Sequence, residues 1–185
     1  MIFDLIRNRR SIFPAQYNDK PIAKATIEKV LEAANWAPTH KKTEPWRLKV
    51  LQGEAKVRLG HFLAKKYQEI TPEPKSFKIK KLEENPKKAA AIIAICMQRD
   101  IKESIPEWEE VAAVAMAVQN MWLSCTALGI GCYWSSPGLI HYMDQFFELE
   151  KGEKCLGFFY MGYYDELPLE GVRGAIADKT LWFNH

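Results

Sequence analysis

The sequence predicts an α+β fold, because segments with helical periodicity and segments with strand periodicity both occur along the chain. Three segments carry this prediction. Apolar residues alternate with basic ones from Trp46 to Leu51, as in a strand with one buried face. Ala89 to Met97 is almost continuously apolar, which is typical of a strand buried on both faces. Glu109 to Leu128 has the length and apolar character of a buried helix.

The other elements of the N-terminal half follow in chain order. A short helix is expected from Ile2 to Asn8. A second helix is expected to follow Pro21 and to run to about Ala34, with apolar residues on one face. Asn35 to Pro45 is a predicted loop. Glu54 to Ile70 is amphipathic and predicts another helix. Thr71 to Lys88 holds three prolines among many charged residues, so we expect an exposed excursion there.

The helix from Glu109 to Leu128 is apolar on more sides than one neighbour can cover. Small residues fill much of the surface outside its main seam, which lets a second helix approach closely. Gly129 is expected to end the helix as a C-cap. A dimer partner is one possible source of the second covering surface. The seam has about heptad spacing and consists of Val111, Ala115, Val118, Trp122 and Cys125.

The C-terminal part is predicted to add two strands and a tail. We expect strands from Gly131 to Trp134 and from Gly157 to Tyr163, with a helix from Pro137 to Phe147 between them. From Asp165 the chain has charge, glycine and aromatic residues but no periodicity of its own. This segment is expected to be an extended tail, which needs a surface to lie against.

Composition limits the class of protein. A chain of 185 residues suits one domain with a full core, and 48% hydrophobic with 26% charged residues is a soluble globular composition. The net charge of +3 attracts anionic ligands without indicating nucleic acid. Four cysteines without a Cys-x-x-Cys pair indicate reduced thiols and a cytoplasmic protein. No signal peptide or run of about 18 apolar residues is present, so we expect no membrane contact.

Three motifs indicate a site for a phosphorylated, flat ligand. Arg9-Arg10-Ser11 offers two guanidinium groups and a hydroxyl, which suit a phosphate, although paired arginines are often a solvated helix end. Trp36-Ala37-Pro38-Thr39-His40 packs an aromatic, a proline and a histidine into one loop, which suits a ring system. The third motif, at 129–136, reads Gly-Ile-Gly-Cys-Tyr-Trp-Ser-Ser.

Other kinds of site are excluded by spacing. His40 has no His-Glu-x-x-His or Cys/His pattern around it, so a metal role is not expected. Gly129-Ile130-Gly131 follows a helix, and Trp134 stands where a dinucleotide fingerprint has its third glycine, which excludes a Rossmann site. The lysine-rich stretch 75–88 is interrupted by Glu83 and Glu84, so we expect no nucleic-acid partner.

Together these segments resemble the nitroreductase family of FMN-dependent NAD(P)H oxidoreductases. The chain is most similar to its small, minimal branch, whose early loop is Ala-Pro-x-His-x-x-x-x-Pro-Trp, and the likeness runs from Ile6 to about Trp182. The resemblance implies a three-layer sandwich, with a central, mixed and mostly antiparallel sheet flanked by helices. It also implies one FMN-binding domain over residues 1–185, and a homodimer in which residues 165–185 reach the partner.

The resemblance assigns the phosphate of FMN to Arg9 and Ser11, with Arg10 at the ribityl chain or phosphate. Arg173 of the tail matches a basic residue that many family members place on the phosphate, a surface charge being the alternative. No catalytic side chain is expected, because hydride moves through the flavin N5.

Two further segments are implied to contact the flavin. Trp36 and His40 match FMN-contacting positions, with Pro38 and Thr39 adding backbone contacts and ring packing. The segment Trp134-Ser135-Ser136 is expected along the phosphate and the ring edge.

The early loop departs from the commoner family form at Lys42 and Glu44, where an Asn and a Gln are usual. Lys41 or Lys42 either carries positive charge near the flavin or is simply solvated. The implied activity takes hydride from NADH or NADPH and reduces a nitroaromatic, quinone or similar small-molecule electron acceptor by a ping-pong mechanism. The alternatives are another FMN reaction, such as enone or halogenated-aromatic reduction, and a non-catalytic FMN-storage dimer.

Overall fold

A four-stranded sheet lies between two helical layers in the computed structural model, which describes residues 2–166 and 168–184. Leu167 and His185, which belong to the predicted tail, lie outside the described residues, as does Met1. The helices are α1 (Ile2–Asn8), α2 (Lys24–Asn35), α3 (Glu54–Ile70), α4 (Ser76–Lys88) and α5 (Glu107–Ala127). The strands are β1 (Trp46–Leu51), β2 (Ala91–Gln98), β3 (Gly131–Ser135) and β4 (Glu153–Gly162).

The sheet has the strand order β1-β2-β4-β3, and each of its three strand pairs is antiparallel. Beside the edge strand β3, Ser11 forms a parallel bridge with Cys132. The N–H of Ile12 donates to the carbonyl oxygen of Cys132 at 3.1 Å. The segment that follows α1 is therefore fixed along this edge. The predicted α+β fold with a mostly antiparallel sheet is confirmed.

Both faces of the sheet are buried, which explains the apolar run of β2. Ile93, Ile95 and Met97 face α2 and α5, whereas Ile92 and Cys96 face the core that includes α3. Successive side chains of a strand point to opposite faces, so a central strand covered on both sides needs apolar residues at nearly every position. The three-layer arrangement follows from these two cores.

We predicted that residues 71–88 form an exposed excursion from the fold. This prediction is wrong for most of the stretch, because it contains α4, which packs against α3. Ile79 and Leu82 contact the core on that side of the sheet. The two helices come close at Gly60, where an added Cβ would lie 2.9 Å from the carbonyl oxygen of Glu83. Only Pro86 falls inside the helix, near its end.

Other predicted boundaries shift. The helix predicted to follow Pro21 begins at Lys24. The segment predicted as a helix at 137–147 is a 3₁₀ helix, Gly138–Gln145. The predicted C-cap is confirmed, since Gly129 follows α5 with φ +66°.

The last strand begins at Glu153, before the predicted start at Gly157. Gly157 lies inside it with φ +151°, opposite a register shift in β2. A Cβ there would lie 2.1 Å from Nε1 of Trp134, so the glycine permits a close approach between two strands.

A buried carboxylate fixes the start of α5. Glu110 is fully buried, pairs with the guanidinium of Arg99 and accepts a hydrogen bond from the N–H of Asp100 at 2.8 Å. Arg99 also donates to the carbonyl oxygen of Ile105 at 2.7 Å. The hydrogen bond with Glu110 raises the pKa of the Arg99 guanidinium. This network ties the connection between β2 and α5 to the helix.

We expect Glu110→Ala to lower the free energy of unfolding by about 3 kcal/mol, because it leaves the donors that surround this carboxylate without an acceptor. Urea unfolding followed by circular dichroism measures the change. Glu107→Ala is the matched control, since its partner Lys154 is exposed, and it should have little effect. Equal stability of the two variants would contradict the assigned role of Glu110.

Candidate functional site

Arg9 carries an unpaired, buried donor. Its guanidinium lies over the indole ring of Trp122, 4.5 Å from the ring centroid. Among the described residues Nη1 has no hydrogen-bond partner, although it is shielded from solvent. Burial is the largest cause that lowers the pKa of this guanidinium, and the nearby charges of Arg173 and Arg10 add to it. An anion bound here would relieve both effects.

The other residues predicted to bind the phosphate differ from Arg9 in their contacts. Arg10 donates from Nε to the carbonyl oxygen of Leu169 at 3.0 Å and from Nη1 to that of Arg9 at 2.9 Å, so its guanidinium ties the tail to the end of α1. Ser11 is exposed beside β3. Arg173 is close enough to Arg9 to affect its pKa. We call Arg9, Arg10, Ser11 and Arg173 the Arg9 cluster.

The predicted residues at the end of β3 lie on the same sheet edge as the Arg9 cluster. Trp134 donates from Nε1 to the carbonyl oxygen of Leu156 at 3.2 Å, which holds its indole against the sheet. Ser135 lines a cavity beside the strand, and Ser136 is exposed. From Cys132, the partner of Ser11, to Ser135 the strand extends roughly 10 Å.

The predicted loop residues meet the start of α5. Nδ1 of His40 lies 2.5 Å from Oε2 of Glu109. Pro38, Thr39 and His40 line a shallow pocket against the exposed apolar side of α5. Trp36 is 79% exposed and donates from Nε1 to Glu32 at 2.9 Å. We call residues 36–44 the His40 loop.

The His40 loop has an unusual backbone conformation around the positions that depart from the common family pattern. Lys41, Lys42 and Glu44 have φ of 50°, 55° and 42°, a region that non-glycine residues rarely occupy. Nζ of Lys41 donates to the carbonyl oxygen of Ser104 at 2.8 Å, and the N–H of Glu44 donates to Oγ1 of Thr39 at 3.2 Å. The Lys41 side chain therefore holds the loop, and Lys42 is exposed.

One chain does not bring all the predicted residues together. The Arg9 cluster contacts α5 at Trp122, whereas the His40 loop contacts it at Glu109. Because an α-helix rises about 1.5 Å per residue, these two positions are roughly 20 Å apart. Sequence reasoning missed both of these contacts, since Trp122 has the pattern of a core residue and Glu109 that of a helix start.

Large apolar side chains of α5 and of the tail are exposed in the part of the chain that the structure describes. Along α5, Trp108 and Met116 are exposed on the side that faces the His40 loop. Over residues 168–184 the tail contains one 3₁₀ turn, Ala177–Lys179, and its large apolar side chains are exposed. These side chains are Leu169, Val172, Ile176, Leu181, Trp182 and Phe183.

Three general properties bear on the chemistry. All four cysteines are free and buried. Across residues 2–166 and 168–184, no three His, Cys, Asp or Glu side chains are grouped as metal ligands. None of the described helices has the length and apolar character needed to cross a membrane.

Comparison with known proteins gives a consistent result. The model of the nitroreductase family matches residues 6–163. The Bacillus subtilis protein YfhC, named as an NAD(P)H nitroreductase, is 29% identical over 95% of this chain and 91% of its own length.

Solved structures share the fold. A nitroreductase-like family protein from Bacillus cereus superposes with a TM-score of 0.88 and 29% identity, over 100% of this chain and 97% of the other. A Desulfovibrio desulfuricans protein of the nitroreductase type, solved in complex with FMN, has a TM-score of 0.76 at 22% identity, with 100% and 97% coverage. Since the family model covers most of its length, this chain belongs to the nitroreductase family.

Proposed function

We propose that the chain is an FMN-dependent oxidoreductase that takes hydride from NADH or NADPH and reduces nitroaromatic, quinone or similar electron-poor acceptors. The observation that carries the proposal is the buried Nη1 of Arg9, which has no acceptor among the described residues and lies close to two further arginines. The phosphate of FMN is a dianion of the kind this arrangement needs. The FMN complex of a fold relative agrees with it.

FMN, when bound, would accept hydride from the nicotinamide and pass it to the acceptor in turn, as in a ping-pong mechanism. The side chains of this protein hold and orient the cofactor. Arg9, Ser11 and Arg173 bind the phosphate, and Arg10 keeps the tail, with Arg173, close to it. Trp134, Ser135 and Ser136 follow the same sheet edge toward the ring.

We further propose a homodimer of a single domain, in which each FMN contacts both chains. The His40 loop and the Arg9 cluster lie at opposite ends of α5, so a two-fold axis across this helix would bring one chain's loop to the other chain's cluster. Trp36, Pro38, Thr39 and His40 would then reach the flavin. The exposed apolar residues of α5 and the tail would be covered by the same contact.

A cytoplasmic location is part of the proposal, because four buried free thiols suit a reducing compartment. The electron acceptor is a small molecule, and neither nucleic acid nor a membrane is a proposed partner.

The purified protein should be yellow or take up FMN, and anaerobic NADH or NADPH should bleach the bound flavin. Absorbance near the flavin band measures both steps. FAD should bind more weakly, because its adenylate has to leave through the arginines of the Arg9 cluster. A protein that takes up no FMN would falsify the proposed function, and bound FMN that neither nucleotide reduces would favour the storage alternative.

Arg9→Ala should weaken FMN binding by roughly 1.5–3 kcal/mol, or about ten- to a hundredfold, because a charge-assisted contact with the phosphate is lost. Riboflavin lacks the phosphate, so its affinity should change little. Fluorescence quenching measures both affinities. Arg7→Ala, an exposed arginine of α1, is the matched control. Equal losses for FMN and riboflavin would show that Arg9 acts only on the fold.

Deleting all residues after Leu169 should lower the melting temperature and release FMN together. The deletion removes Arg173 and every exposed apolar tail residue from Val172 onward, which the proposed dimer uses. The intact interface should bury well over roughly 2,000 Å², as obligate dimers do. Light scattering and flavin absorbance provide the measurements. A truncated protein that stays dimeric, yellow and equally stable would refute the tail exchange, and a flavin-loaded monomer at micromolar concentration would refute the shared site.

A further inference from the structure

A cavity of about 440 Å³ lies beside the free edge of the sheet, on the side of α3 and α4. Its lining joins distant parts of the chain: the segment at Phe13, one residue each of α3 and β4, the helix α4, and the end of β3 at Ser135. This volume is within the range of small-molecule sites, and it accommodates one or two aromatic rings.

The cavity has an aromatic wall. The rings of Phe13 and Tyr133 lie 4.9 Å apart, and those of Tyr133 and Tyr160 are stacked at 5.1 Å, so three rings follow one another along the wall. Phe77 of α4 also lines the cavity. Phe13 is 50% exposed and Phe77 is 67% exposed, an unfavourable arrangement for large apolar rings that a flat ligand would relieve.

The charge of the cavity is positive. Lys78 and Lys81 line it, and none of the described residues in its lining is acidic. Nζ of Lys78 lies over the ring of Tyr67, 4.5 Å from its centroid. Lys81 forms no ion pair or hydrogen bond with any described residue. A ligand that carries an anionic group beside an aromatic ring would therefore complement both the wall and the lysines.

We propose that this cavity binds the electron acceptor, and that the preferred acceptors are aromatic compounds bearing a carboxylate or a similar anion. Ser135 connects the cavity to the FMN site, because it lines the cavity and belongs to the segment assigned to the ring edge. The role as an acceptor site depends on the proposed FMN reductase activity. The binding of anionic aromatic compounds depends only on the cavity and its lysines.

The test uses two ligands of the same shape, 4-nitrobenzoate and the neutral 4-nitrobenzamide, in titration calorimetry on the protein as purified and after saturation with FMN. We expect 4-nitrobenzoate to bind more tightly. Lys81→Gln should weaken 4-nitrobenzoate about three- to fivefold, the range of an exposed ion pair, and leave 4-nitrobenzamide unchanged. Phe77→Ala should weaken both ligands alike, since it removes part of the common wall.

Lys80→Gln is the matched control, because it changes the same charge on the same helix outside the cavity lining, and it should leave both affinities unchanged. Equal effects of Lys80→Gln and Lys81→Gln would overturn the inference, as would competition between FMN and 4-nitrobenzoate or the absence of binding. Lysine-dependent binding in a protein that takes up no FMN would support the anion site while the proposed reductase function fails.

Discussion

A partly buried guanidinium, whose Nη1 is shielded from solvent without an acceptor among the described residues, is the constraint on which the candidate site depends. The Arg9 guanidinium is fixed over Trp122, so it cannot swing into solvent without losing this contact. Arg10 and Arg173 lie close to it and repel it, and among the described residues no carboxylate is paired with it. Such an arrangement is costly in an isolated chain and favourable once an anion binds. This is the physical basis for proposing that Arg9 holds the phosphate of FMN.

The helix α5 connects this site to the rest of the structure. One of its faces lies in the core, and Glu110 fixes its start through Arg99. Two other residues of α5 contact the candidate site. Trp122, toward the end of the helix, lies under Arg9, and Glu109, near its start, contacts His40. These ends are too far apart for one chain to bring them to the same ligand. In the proposed homodimer, a second chain would supply the missing half of the site and cover the exposed Trp108 and Met116.

Local patterns in the sequence predicted β1 and α3 with their observed bounds, since alternation and amphipathic periodicity are properties of neighbouring residues. They failed for α4, whose contacts with the core involve only a few residues such as Leu82, and whose surroundings contain prolines. They also failed at Gly157, because its close approach to Trp134 is a tertiary contact. The same limit applies to the site: the order of the motifs indicated Arg9, but its packing on Trp122 joins distant parts of the chain.

The two sites on this sheet edge share one electrostatic character. The Arg9 cluster brings three guanidinium groups together, and Lys81 adds positive charge at the cavity on the side of α4. Both reactants of the proposed enzyme, a nicotinamide nucleotide and an anionic aromatic acceptor, carry negative charge, so the same field attracts them. Yet the net charge of the chain is only +3. The attraction therefore comes from where the cations are placed, which the composition alone does not reveal.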